Sequence, residues 1–133
     1  MKITIPFPTP TINHLYFHRG NIKILKTEAR QLRDEIIDIV NKSFYKCEVD
    51  SIRDKQLIVN VQIYDHWFNL NGTIKKKDIL NKEKFLIDSI FKGLEIDDSH
   101  IFKCSFTKIH VDEELECKSV IRIREVVDSE LQS

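Results

Sequence analysis

The nine residues QLIVNVQIY, from Gln56 to Tyr64, alternate across the chain direction over β-branched side chains and form the clearest strand signal in the sequence. A helical pattern lies on each side of it. After Thr27, which offers a hydroxyl as N-cap, Leu32, Ile36, Ile37, Ile39 and Val40 make an apolar stripe that predicts a helix to about Tyr45. Beyond the loop HWFNLNGTIKKK, residues Ile79, Leu80, Glu83, Ile87, Ile90, Phe91 and Leu94 recur at helical spacing, with Leu86 beside them and Glu83 the only charge on the stripe. A strand flanked in sequence by two one-sided helices has to be covered by them, which points to helices layered on a sheet.

The remaining segments fill in that sheet. Lys2 to Pro6 alternates like a short edge strand, and Pro6, Pro8 and Pro10 end it in an extended, proline-stiffened loop. The turn signal His18-Arg19-Gly20-Asn21 precedes a second short strand at Ile22, Ile24 and Leu25. Two more strands, Ile101 to Val111 and Cys117 to Val126, are joined by the acidic turn Asp112 to Glu116. The order β, β, α, β, α, β, β predicts an α/β fold of the α+β two-layer sandwich type, a mixed sheet with two main helices on one face. With no repeat, low-complexity tract or linker, the 133 residues read as one domain, 1–133, within the commonest domain size of about 100–150 residues.

Charge and cysteine content narrow the function. Lys+Arg and Asp+Glu are both 21, so no whole-molecule field attracts nucleic acid and any such binding rests on local patches. Cys47, Cys104 and Cys117 are odd in number, far apart and outside any CxxC pair, which predicts reduced thiols rather than a disulfide framework or a zinc knuckle. MKITIPFPTP has no apolar signal core, and no run approaches the roughly 18 apolar residues of a membrane span. A soluble cytoplasmic protein is expected. The five histidines lack HExxH spacing, which gives zinc chemistry little support.

The chemistry concentrates in KKKDILNKEKF, residues 75 to 85, and in EIDDSH shortly after. Asp78 stands where an N-cap belongs, and Asp97-Asp98-Ser99 reads as a turn that solvates its own backbone. Alternatively, the chain returning from the helix brings the two carboxylate groups together. Asn81, Lys84 and Asp88 share one helix flank, either as a surface ion pair or as part of a site in which carboxylates hold a hard cation and lysine meets phosphate.

ITIPFPTPTINHLYFHRG, the helix opening after LKTEAR, the block KKKDILNKEKFLIDSIFKGLEIDDSHIF and the closing strand pair together resemble the RusA-type Holliday junction resolvases, over nearly the whole chain. The most specific element is a basic run, then D-x-D-N-x-x-K, a helical aspartate, and a DD pair before a strand. The resemblance implies a metal-dependent endonuclease of branched DNA, active in recombination and repair as a homodimer with Mg²⁺ or Mn²⁺. A nucleoid-associated cytoplasmic location goes with it. It maps metal-binding aspartates to Asp78 and Asp98 with Asp97 adjoining, and the asparagine and catalytic lysine to Asn81 and Lys84. The helical aspartate is Asp88. Lys75, Lys76 and Lys77 would clamp phosphates with Arg19, and Asn13 would orient the N-terminal loop near the site.

One position departs from that pattern. The second aspartate of D-x-D is Leu80 here, and Glu83, one turn on, either supplies the missing oxygens or lies at the edge of the stripe. The alternative function is therefore a branched-DNA-binding homodimer with weak or no cleavage. Trp67 and Phe68 either stack on unpaired bases or pack in the core, and packing is the expectation.

Overall fold

The computed structural model describes residues 1–9, 16–19, 22–25, 27–77 and 79–127, with backbone alone for 16–19, 22–25 and 79–82. Along the chain come β1 (Lys2–Ile5), β2 (Tyr16–Arg19), β3 (Ile22–Leu25), α1 (Thr27–Ser43), α2 (Lys46–Ile52), β4 (Leu57–Asp65), α3 (Ile79–Leu94), β5 (Ile101–His110) and β6 (Lys118–Glu125). Four strands form one sheet in the order β1-β6-β4-β5, while β2 and β3 pair separately as an antiparallel ribbon. Within the main sheet β4 runs parallel to β5 and antiparallel to β6, and β1 runs antiparallel to β6. The sheet is therefore mixed, and the fold is α+β. Among the described residues no helix is long and apolar enough to cross a membrane.

Three details differ from the sequence pattern. Tyr16–Arg19, expected inside a loop, is a strand because it pairs with β3. The helix α2 carries only Val49 and Ile52 against the core, too few apolar positions to show a period. The last two strands follow each other in sequence but are not neighbours, since β4 lies between them. The most apolar strand thus takes a central place, as strands buried on their apolar face tend to do.

The core lies on one side of the sheet. Leu57, Val59, Val61 and Ile63 of β4 alternate into it, joined by Ile3 and Ile5 of β1 and Ile121 and Ile123 of β6. From the helices come Ala29, Ile36 and Val40 of α1, with Phe85, Leu86, Ile90, Phe91 and Leu94 of α3. The two helices meet closely at Gly93, where an added Cβ would stand 3.1 Å from Val40 Cβ. A side chain there would push α1 away.

The end of α3 decides where the following aspartates sit. Ile96 N–H bonds Phe91 O at 3.1 Å and Glu95 N–H bonds Lys92 O at 3.2 Å, the pair of bonds that closes a helix in a Schellman motif. Glu95 takes the left-handed position at φ 57°, usually a glycine's, and Arg53 Nη1 donates to its carbonyl at 2.6 Å. The chain then turns sharply through a 3₁₀ turn, Asp98–His100, into β5. That reversal brings Asp98 back against α3.

Candidate functional site

A cavity of about 340 Å³ opens between α3 and β5, lined by Glu83, Lys84, Ile87, Asp88, Asp98, Ile101 and Cys104. Offsets of one, four and five place Lys84, Ile87 and Asp88 of α3 along the same side as Glu83. Asp98 reaches the cavity from the 3₁₀ turn, and Cys104 reaches it because its register opposite Val59 turns it toward the helices. Lys84, Asp88 and Asp98 are exposed at the rim, whereas Glu83 is half-buried with one carboxylate oxygen sealed from solvent.

The electrostatics of the cavity are those of crowded acids. Burial, and then the Asp98 carboxylate, push the Asp88 carboxyl up from its ordinary value, with Lys84 opposing. Cys104 is exposed by residue area, but burial of its thiol, and then the Glu83 carboxylate, push it up to about 11. Asp97 behaves differently. Its carboxylate accepts the Ser99 N–H at 2.8 Å as the cap of the 3₁₀ turn, and that bond holds its carboxyl below the usual range. Of the adjacent aspartates, Asp97 serves the turn and Asp98 faces the cavity.

The other residues singled out in the sequence lie elsewhere or beyond the described residues. Asp78 and Asn13 fall outside them, as do the side chains of Arg19, Leu80 and Asn81. Lys75 lines a second cavity, of about 740 Å³, beyond the carboxyl ends of the parallel pair β4 and β5, together with His66, Phe68, Asn69, His110 and Asp112. Lys76 is exposed. Lys77 gives its ammonium to Asp65 Oδ1 at 3.2 Å and its carbonyl to Lys108 Nζ at 2.9 Å. Trp67 is 3 % exposed and donates its indole N–H to Ile63 O at 2.9 Å, so it packs, while Phe68 is 44 % exposed.

The Asp65 cluster was not evident from the sequence. Asp65 is only 5 % exposed, and one carboxylate oxygen accepts from His66 N–H at 2.7 Å and lies 3.8 Å from Cys117 Sγ, besides bonding Lys77. Lys108 and Lys77 stand over the Trp67 ring, 4.6 and 5.8 Å from its centre. His110 accepts the Trp67 N–H at Nδ1, 3.1 Å, so Nε2 carries the proton and donates to Asp112 at 2.9 Å. The one signal available was an aspartate closing a strand that is apolar along one face, twelve residues before a lysine.

Among the described residues no group of three or more His, Cys, Asp or Glu side chains is placed to hold a metal ion. At the α3–β5 cavity Asp88 and Asp98 supply carboxylate oxygens, the ligand type that a hard cation takes. Mg²⁺ is commonly bound by one or two carboxylates, with water and substrate phosphate supplying the rest. No protein-family model matches the chain, and no curated protein is significantly similar to it.

Proposed function

We propose that the chain is a metal-dependent, structure-specific endonuclease that cuts four-way junctions or related branched DNA as a homodimer. The observation that supports this most directly is the meeting of Asp98, from the 3₁₀ turn, with Asp88 and Lys84 of α3 at one cavity. The likeness of the KKKDILNKEKF and EIDDSH blocks to the junction resolvases points the same way. Asp88 and Asp98, with Asp78 as the resemblance implies, would hold Mg²⁺ or Mn²⁺. Such an ion polarises a phosphodiester and lowers the pKa of bound water.

The chain's own residues do the rest. Lys84 places a positive charge at the rim of the cavity, where it offsets charge gathering on the phosphate oxygens. Lys75 and Lys76 contact neighbouring phosphates, while Lys77 stays engaged with Asp65. A homodimer suits a four-way junction because two symmetric strands have to be cut.

Leu80, in place of the second motif aspartate, favours a second reading: a junction-binding homodimer that cuts weakly or not at all. Cleavage of a synthetic four-way junction and a linear duplex, with Mg²⁺, Mn²⁺ or chelator, separates the two. Under the first reading the parent cuts the junction only with metal, and Asp98→Asn lowers the rate by about 10²-fold or more while binding survives. Junction binding without cutting, and a gain of cutting in Leu80→Asp, would establish the second. Undiminished cutting by Asp98→Asn would remove this cavity from the reaction.

A further inference from the structure

The face of the sheet turned away from α1 and α3 is unlike the rest of this electrically neutral molecule. The register places Ile58, Asn60, Gln62 and Tyr64 of β4 on that face, opposite Arg124, Arg122, Val120 and Lys118 of β6. Lys2 and Thr4 of β1 lie beside Arg122 and Val120, and Lys103, Ser105 and Thr107 of β5 lie beside Ile58, Asn60 and Gln62. The outward positions of the four strands thus carry Lys2, Lys103, Lys118, Arg122 and Arg124, and no carboxylate.

These groups are presented to solvent in an ordered way. Lys2, Lys103, Arg122 and Arg124 are exposed, and Lys118 lies over the Tyr64 ring at 4.9 Å. Arg122 Nη1 donates to Gln62 Oε1 at 3.0 Å and Ser105 Oγ donates to Asn60 Oδ1 at 2.5 Å, which fixes a polar row across the middle of the sheet. Ile58 and Val120, on the same face, are buried. Four strands span about 14 Å at the usual spacing, enough for separate cations to meet several phosphates of one backbone.

We propose that this face is a nucleic-acid contact surface, with Lys2, Lys103, Lys118 and Arg122 meeting the phosphate backbone of a DNA arm adjacent to the one at the α3–β5 cavity. The choice of DNA as the polyanion rests on the function proposed above. Charge complementarity selects a polyanion over a second copy of the chain, because the centre of a subunit interface is usually depleted of charge. Position supports it as well. On the edge strand β5, Lys103 points to the open face and its neighbour Cys104 into the cavity, so DNA bound to one side passes the other at that edge.

The test is fluorescence anisotropy of a labelled four-way junction across a salt series. The proteins are the parent, the double variant Lys103→Ala with Arg122→Ala, and Lys103→Glu, which disturbs no described hydrogen bond; sedimentation of each reports its oligomeric state. The double variant should bind about tenfold more weakly and flatten the slope of log K against log [salt] by up to about 1.8, two phosphate contacts' worth. Lys103→Glu should weaken binding in the same direction. Unchanged affinity and slope in both variants, in a parent that binds and cuts junctions, overturns the surface and leaves the proposed function standing. A parent with no affinity for DNA overturns both. Dissociation of a parental dimer by either variant would assign the face to subunit contact and overturn the proposal.

Discussion

Carboxylates toward opposite ends of the parallel β4–β5 pair are handled in opposite ways. Asp65, at the carboxyl end of β4, is enclosed by the protein's own donors: an ammonium, a backbone N–H and a thiol. Asp88 and Asp98 stand at an open cavity, where burial and then the Asp98 carboxylate disfavour the charge on Asp88 and the nearby Lys84 only partly offsets this. A carboxylate neutralised from within is part of the architecture. A surface carboxylate whose charge is disfavoured by burial and a neighbouring acid is suited to a cation from outside, and this contrast, rather than the number of acids, separates a site from a scaffold.

The sharpest way to break the comparison is to remove one member of each group. Lys77→Met removes the ammonium from a buried carboxylate and should cost about 3 kcal/mol in urea unfolding, at the lower end of the range for broken buried pairs because Lys77 is itself partly exposed. Asp98→Asn should change stability by no more than about 0.5 kcal/mol, as for most exposed positions. If the two variants unfold alike, Asp65 is not the enclosed charge described here.

This distinction was only partly legible in the sequence. Periodicity located β4, α1, α3, β5 and β6, since each has enough apolar positions to show its period. It missed β2, whose definition depends on a partner strand, and α2, which is shorter than two helical periods and a half. Spacing along α3 put Lys84 and Asp88 on one flank, and the Asp97-Asp98 pair was conspicuous. Which of the pair faces the cavity depends on the Schellman reversal at Glu95 and the cap bond to Ser99, neither of which has a sequence period. Lys77 had the look of its neighbours in the lysine run, and only the long-range pairing with Asp65 separates it from them. The basic face required strand order, because Lys2, Lys103 and Arg122 are far apart until the sheet assembles.

Each carboxylate group also has a cysteine beside it, which allows a milder test. Cys117 is 2 % exposed, and burial followed by the Asp65 carboxylate pushes its thiol up, so it should resist alkylation in the folded protein. Cys104 should label slowly and the exposed Cys47 first. Burial is the larger cause at Cys104, so Glu83 accounts for less than half of the rise from 9.0 to about 11. Glu83→Gln should therefore speed Cys104 labelling by several-fold but less than about tenfold, read by mass spectrometry at pH 8. Unchanged labelling would place the Glu83 charge away from the cavity.

The smallest effect is the most discriminating. The folded carboxyl of Asp88 is raised above its ordinary 3.8, so between those two values the native state holds more proton than the unfolded chain. Stability of the parent therefore falls as pH rises through that window, and the full penalty is present above it. Asp88→Asn carries no such penalty. Relative to its own difference at low pH, the variant should gain a few tenths of a kcal/mol by pH 7, a small figure because the group is more than half open to solvent and screened. That gain should fade as pH drops through the folded value and vanish below 3.8. Asp98→Asn should show part of the same trend, since Asp98 is the second cause of the rise. Adding Mg²⁺ at pH 7 should reverse the order, because a bound cation favours the ionised carboxylate and stabilises the parent by mass action while leaving Asp88→Asn behind. A stability difference that is flat from pH 3 to pH 7 would show that Asp88 is as well solvated as any surface aspartate. A reversal with Mg²⁺ that is missing although the pH trend is present would leave the repulsion real but the cavity without a cation, and would move the proposed reaction away from it.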